Sequence, residues 1–147
     1  MDRTLLMIKP DAYQRGLEKT ILERIASAGI EVVCSARKRL TREEVEELYR
    51  EHRGKPFFEA NVNLLLSGEI GLFILEGDGD VARRMRGLVG NKDPRLAGAG
   101  TIRGDLGIDR LDIERNLVHA SANGEEAARE IALLFGERVS YEERCVS

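Results

Sequence analysis

The sequence predicts an α/β sandwich built on a four-stranded sheet. Four short apolar runs, helical-period stretches between them, and a length of 147 residues suited to one domain, residues 1–147, carry this expectation. Strands this short, interleaved with helices, fit the split βαβ arrangement. The expected order is β-α-β-α-α-β-α-β-α, without internal repeats or low-complexity tracts.

Thr4 to Ile8 is a continuous β-rich apolar run, as in a strand covered on both faces, and is expected at the centre of the sheet. Leu17, Ile21, Ile25 and Ala28 then recur at helical spacing, and Gly29 ends that helix. Glu31 to Leu40 is the second strand. Thr41 with Glu44 three residues on forms a capping box, and Val45, Leu48, Tyr49 and His52 mark the inner face of the helix it opens. Phe57 to Leu66 predicts a further helix and Ile70 to Leu75 the third strand. Val81, Met85 and Leu88 form the stripe of a helix ending near Gly90. From Asn91 to Arg115 the sequence is glycine-rich with little periodicity, and so long a loop in a compact domain is expected to be functional. Asn116 to Ala120 is the last strand. Asn123 with Glu126 caps a final helix whose inner face includes Ala127, Ile131 and Leu134.

Hydrophobic residues make up 42% and charged residues 33%, which excludes a disordered chain. The net charge of −3 argues against a general nucleic-acid binder but leaves room for a focal basic cleft. The longest apolar runs fall far short of a bilayer span and the amino terminus carries no signal-peptide pattern, so a cytoplasmic protein without membrane attachment is expected. Cys34 and Cys145 differ too much in setting to suggest a disulfide framework or a metal cluster, and both are expected as free thiols.

His119 is the most informative residue. It closes the last strand among small residues that leave its imidazole uncovered, and a neutral imidazole is nucleophilic near neutral pH. Alone, it reads sooner as a satisfied strand-end histidine, and the rest of the chain reverses that. Lys9 ends the first strand where Pro10 prevents simple continuation, a position that suits either a solvated lysine or an anion ligand. Arg103 sits in a loop between Gly100 and Gly104, glycines that permit close backbone approach to a ligand. Neither a Walker-type loop nor a dinucleotide fingerprint is present, so side chains must hold any phosphate. Lys9, Arg86, Arg103 and the Tyr49 hydroxyl could surround a di- or triphosphate while His119 supplies the nucleophile. That is phosphoryl-transfer chemistry, in which positioning and charge neutralisation dominate.

Lys9-Pro10-Asp11-Ala12, Lys55-Pro56-Phe57-Phe58, Gly100-Thr101-Ile102-Arg103-Gly104-Asp105 and Asn116-Leu117-Val118-His119-Ala120-Ser121 occur in the order and approximate spacing of nucleoside diphosphate kinases. The chain resembles that family from Arg3 to about Gly136. The resemblance implies a ferredoxin-like sandwich with a four-stranded antiparallel sheet. It also implies a magnesium-bound nucleotide and ping-pong transfer of the γ-phosphate from a nucleoside triphosphate, typically ATP, to a diphosphate through phosphohistidine. His119 matches the phosphorylated histidine, and Lys9, Tyr49, Arg86 and Arg103 resemble the phosphate and sugar contacts. Asn116 resembles the partner of the ribose 3′-hydroxyl, Phe57 the aromatic that stacks on the base, and Ser121 and Glu130 the pair that supports the histidine. Magnesium would be held mainly by the nucleotide phosphates, with no protein metal site. Family members are homo-oligomers, tetramers or hexamers.

The chain also departs from the family pattern. Ala122 stands where aspartate is usual, Asn61 where leucine lines the base site, Lys92 where threonine touches phosphate, Ala99 where proline precedes the glycine, and Tyr13 where valine is usual. The segment 104–115 is longer than in typical members, leaving Ile113 the candidate for the other side of the base. Asn116 and His119 are three apart, so a regular strand would point them to opposite faces. For both to reach one nucleotide, Asn116 must precede the strand or the strand must be irregular. His52 is expected as a packed or hydrogen-bonded residue, not a second nucleophile. Two rivals remain on these residues: a non-catalytic nucleotide-binding domain and a phosphohistidine relay.

Overall fold

In the computed structural model, which describes residues 2–93, 95–107 and 116–136, β1 (Asp2–Ile8), β2 (Glu31–Lys38), β3 (Ile70–Gly77) and β4 (Val118–Ala120) form one sheet in the order β2-β3-β1-β4. Every strand pair is antiparallel. The helices are α1 (Pro10–Gln14), α2 (Glu18–Ser27), α3 (Arg42–Leu48), α4 (Phe58–Leu66), α5 (Val81–Val89), α6 (Ile102–Leu106) and α7 (Gly124–Phe135). This is the ferredoxin-like sandwich, with β1 inside the sheet as its unbroken apolar run predicts.

Alternation along β1 divides the core. Leu6 and Ile8 face α2 and α5, where they meet Ile21, Ile25, Val81 and Met85. Leu5 and Met7 face α3, α4 and α7, among Val45, Leu48, Val62, Leu65 and Ile131. Four apolar side chains of β1 are thus fully buried, two on each face, and Thr4 is fully buried before them.

Two short helices add to the predicted order. Pro10 does stop β1, but it also occupies the first turn of α1, where a missing N–H costs nothing. The stretch expected to be irregular contains α6, opened by Thr101, whose side chain accepts the Gly104 N–H at 3.0 Å. Five residues are too few to show a helical period, so neither helix has an apolar signature. Gly90 closes α5 at φ +89°, and a Cβ there would fall 2.6 Å from Thr101 Oγ1. That close return of the chain brings α6 against the end of α5.

The Thr41–Glu44 capping box and the Asn123 cap form as expected, the latter with Asn123 Oδ1 2.9 Å from the Glu126 amide. His52 does not lie on an inner helix face. Helix α3 ends at Leu48 and a 3₁₀ turn over Arg50–His52 changes the spacing, leaving His52 exposed with its Nδ1 3.1 Å from Lys55 Nζ. Tyr13 packs beside Gly71 with the Arg37 guanidinium 4.1 Å from its ring centroid, and burial pushes its hydroxyl up to about 12. Cys34, expected as a free thiol, is buried in β2 and disulfide-bonded. Local sequence setting does not reveal where the fold brings another sulfur. Cys145, Ile113 and most of the long 104–115 segment lie outside the described residues. No helix among the described residues is long and apolar enough to cross a membrane.

Candidate active site

The site gathers at one end of β1 and β4. His119 pairs with Met7 across these strands and projects from the face of the sheet that carries α3 and α7. Its Nε2 lies 2.7 Å from Glu130 Oε1 on α7. Ser121, two residues further on the same face, donates its hydroxyl to that oxygen at 2.9 Å. His119 Nδ1 has no hydrogen-bond partner among the described residues. Burial of Glu130 works against its charge, but the hydrogen bond from His119, with Ser121 and Arg129, outweighs burial and holds the carboxyl below its ordinary value. An ionised Glu130 accepts a proton donor on Nε2, so it fixes the tautomer with Nδ1 unprotonated.

Tyr49, the C-cap of α3, sets its ring edge-on to His119 with centroids 5.7 Å apart. Burial, followed by the Glu130 charge, pushes its hydroxyl well above the ordinary range, keeping it a neutral donor. Arg129 ties this corner together by donating to the Glu47 and Leu48 carbonyls at 3.2 and 3.3 Å, at the C-terminal end of α3.

The Asn116–His119 conflict is resolved by the backbone. Asn116 precedes β4, and Leu117 adopts φ +77°, the one non-glycine positive φ among the described residues. The Val118 amide closes a γ-turn to the Asn116 carbonyl at 2.9 Å. This turn brings Asn116 Oδ1 within 2.9 Å of Lys9 Nζ, and Asn116 Nδ2 donates to the Lys92 carbonyl at 2.8 Å. Two buried or partly buried polar groups result, Lys9 with Asn116 and His119 with Ser121 and Glu130.

Arg103 is used differently from the expectation of a plain phosphate ligand. It is buried, and Nε, Nη1 and Nη2 donate to the carbonyls of Asn116 at 3.1 Å, Gly90 at 3.2 Å and Val118 at 2.6 Å. Two of its five N–H groups remain. Burial, with Arg86 adding repulsion, pulls its pKa down to about 10, so the guanidinium remains charged at neutral pH. Arg86 is exposed, with one long contact of 3.5 Å to the Ala120 carbonyl. The Lys92 side chain is exposed, and Phe57, 59% exposed before α4, stands outside the hydrogen-bonded network.

Two contributors escaped the sequence reading. Asp11 accepts the Leu117 amide at 2.9 Å, and its only signal was its place in Lys9-Pro10-Asp11. Arg129 carried no signal, because the α3 carbonyls it serves are distant in sequence.

Residues 2–139 match the family model described as Nucleoside diphosphate kinase. The chain belongs to the nucleoside diphosphate kinase family. Members of that family are phosphotransferases, and this chain is therefore an enzyme of that class. A nucleoside diphosphate kinase of Hyperthermus butylicus is 44% identical over 137 residues, covering 93% of this chain and 94% of that one. One from Saccharolobus islandicus is 42% identical over 135 residues, covering 92% and 95%. Among solved structures, the nucleoside diphosphate kinase of Halobacterium salinarum in complex with CDP superposes with a TM-score of 0.86 at 38% identity, covering 97% of this chain and 93% of that one.

Proposed function

We propose that this chain transfers the γ-phosphate of a nucleoside triphosphate, typically ATP, to a nucleoside diphosphate by a ping-pong mechanism through phosphohistidine at His119, balancing nucleotide pools. The supporting observation is the orientation of one imidazole: Glu130 takes Nε2 at 2.7 Å and leaves Nδ1 open. In the first half-reaction the Nδ1 lone pair forms a bond to the γ-phosphorus as the bond to the bridging oxygen breaks, and the diphosphate leaves with those electrons. Glu130 stabilises the positive charge that the ring gains. A second diphosphate then reverses these steps and carries the phosphoryl group away.

Lys9, Arg86, Lys92, the two remaining N–H groups of Arg103 and the Tyr49 hydroxyl supply donors for the polyphosphate. Asn116 meets the ribose 3′-hydroxyl. Phe57 offers an exposed π face, which accepts any base and suits a broad nucleotide range. The CDP bound by the Halobacterium salinarum relative supports a nucleoside diphosphate as one ligand. The cationic donor set fits phosphate oxygens and repels a bare cation, so magnesium belongs with the nucleotide. When bound there, it neutralises polyphosphate charge. The reading takes residues 1–147 as one catalytic domain acting in the cytoplasm as a homo-oligomer, tetramer or hexamer, without nucleic-acid or membrane partners.

Incubation with a γ-labelled triphosphate followed by a chase with a different diphosphate tests this reading. A kinase takes label onto protein and loses it to the diphosphate. A binding domain takes none, and a relay retains label through the chase; either result overturns the proposal.

A further inference from the structure

Leu117 is fully buried, yet its φ of +77° lies where a side chain is strained. Such a backbone persists only where its surroundings hold it, and here both backbone groups are held by the segment that follows β1. The Leu117 amide donates to Asp11 Oδ2 and its carbonyl accepts the Lys9 amide, each at 2.9 Å. The sheet ladder cannot take over, because β4 begins only at Val118. Arg103 secures the flanking carbonyls of Asn116 and Val118. One side chain, that of Asp11, therefore holds the strained residue's own N–H from a position 106 residues away in the chain.

We infer that Asp11 is a positioning residue for phosphoryl transfer: its carboxylate fixes the Leu117 turn, and through that turn sets Asn116 and His119 on the same side of the sheet as Lys9. The inference rests on the reading of His119 as phosphoryl carrier. Asp11 is 3% exposed, and its contact with the Leu117 amide points to the turn rather than to a ligand. Its contribution lies in geometry, which governs the rate of attack more than the affinity for nucleotide.

The test compares Asp11→Asn and Asp11→Ala in the full chain. The readouts are the single-turnover rate of His119 phosphorylation, kcat and KM for a diphosphate, and folding by circular dichroism. The amide oxygen of Asn can still accept the Leu117 N–H, so Asp11→Asn is expected to stay close to the parent rate. Asp11→Ala lowers the phosphorylation rate and kcat by roughly tenfold to a hundredfold, with a much smaller change in KM. A fully active Asp11→Ala overturns the inference, as does an Asp11→Asn that loses as much as Asp11→Ala, since charge would then matter and not the acceptor. Amide exchange in the parent protein keeps the test decisive should Asp11→Ala fail to fold. The Leu117 amide is expected to exchange as slowly as core amides of β1, and exchange as fast as exposed loop amides contradicts the hold. A parent protein that takes no label refutes the reading of His119 itself; a labelled parent beside a fully active Asp11→Ala refutes only the positioning.

Discussion

His119 and Glu130 meet at 2.7 Å between Nε2 and Oε1, one from the last strand and the other from the helix after it, and Ser121 donates to the same carboxylate oxygen. Strand alternation puts His119 and Ser121 on one face, and the Asn123 cap starts α7 so that Glu130 turns inward over them. The pairing occupies Nε2 and leaves Nδ1 open.

Replacing Glu130 by Gln keeps an oxygen acceptor but removes the charge that stabilises a cationic ring. We expect kcat to fall by roughly a hundredfold, with diphosphate affinity little changed; an unchanged kcat removes Glu130 from the mechanism. The pair also sets an acid limit. Because the folded Glu130 is held below its ordinary pKa, its stabilising contribution is fully present above the unfolded value, about 4.3, and is lost as pH falls through the folded one. Acid unfolding of the parent and Glu130→Gln should therefore converge as pH falls through that window.

Arg103 and Arg86 separate stability from binding. Lysine cannot span the three carbonyls that Arg103 serves. Arg103→Lys is expected to cost about 3 kcal/mol of folding stability, since buried acceptors lose charged donors. Arg86→Lys, at an exposed site, should leave stability unchanged and weaken triphosphate binding. Urea denaturation of the two variants checks the contrast, and equal stability losses contradict it.

The strands, the long helices and the cap residues were legible because burial imposes a period and capping a spacing, as in β1, α3 and α7. Helices α1 and α6 were not, since five residues carry no period. The Asn116–His119 conflict was visible in the spacing, but its solution was hidden: nothing marks Leu117, a leucine, for positive φ. Phosphate chemistry could be read from Lys9, Arg103 and His119 as residue types. That most of the Arg103 guanidinium is spent on backbone carbonyls could not, because those carbonyls are assembled only by the fold. Helical periodicity places His52 on the inner face of α3, but that helix ends at Leu48 and the 3₁₀ turn after it changes the spacing.

Phe57 tests base recognition independently of phosphate. Its ring is 59% exposed, so Phe57→Ala should leave folding stability nearly unchanged. Lost stacking is expected to weaken diphosphate binding by about 1–3 kcal/mol for purines and pyrimidines alike. Calorimetric titration with two diphosphates checks this, and undiminished affinity places the base elsewhere.

Lys92 tests the electrostatics of the cleft. A charge about 4 Å from phosphate at an effective dielectric near 20 is worth roughly 4 kcal/mol before desolvation and ordering are subtracted, so the net effect is far smaller. Lys92→Thr retains the backbone carbonyl that accepts from Asn116 and removes only the charge. Diphosphate binding should weaken modestly and lose salt sensitivity. Identical salt dependence in both proteins would show that the side chain points to solvent.

The proposed transfer depends on His119 carrying the phosphoryl group on Nδ1. Phosphorus NMR of the protein with magnesium and a triphosphate, alongside His119→Ala, tests it most directly. The expected result is one acid-labile, base-stable phosphoramidate on Nδ1 of His119, absent from His119→Ala although that variant still binds nucleotide. An acid-stable phosphoester, or a phosphoramidate that persists in His119→Ala, would contradict it.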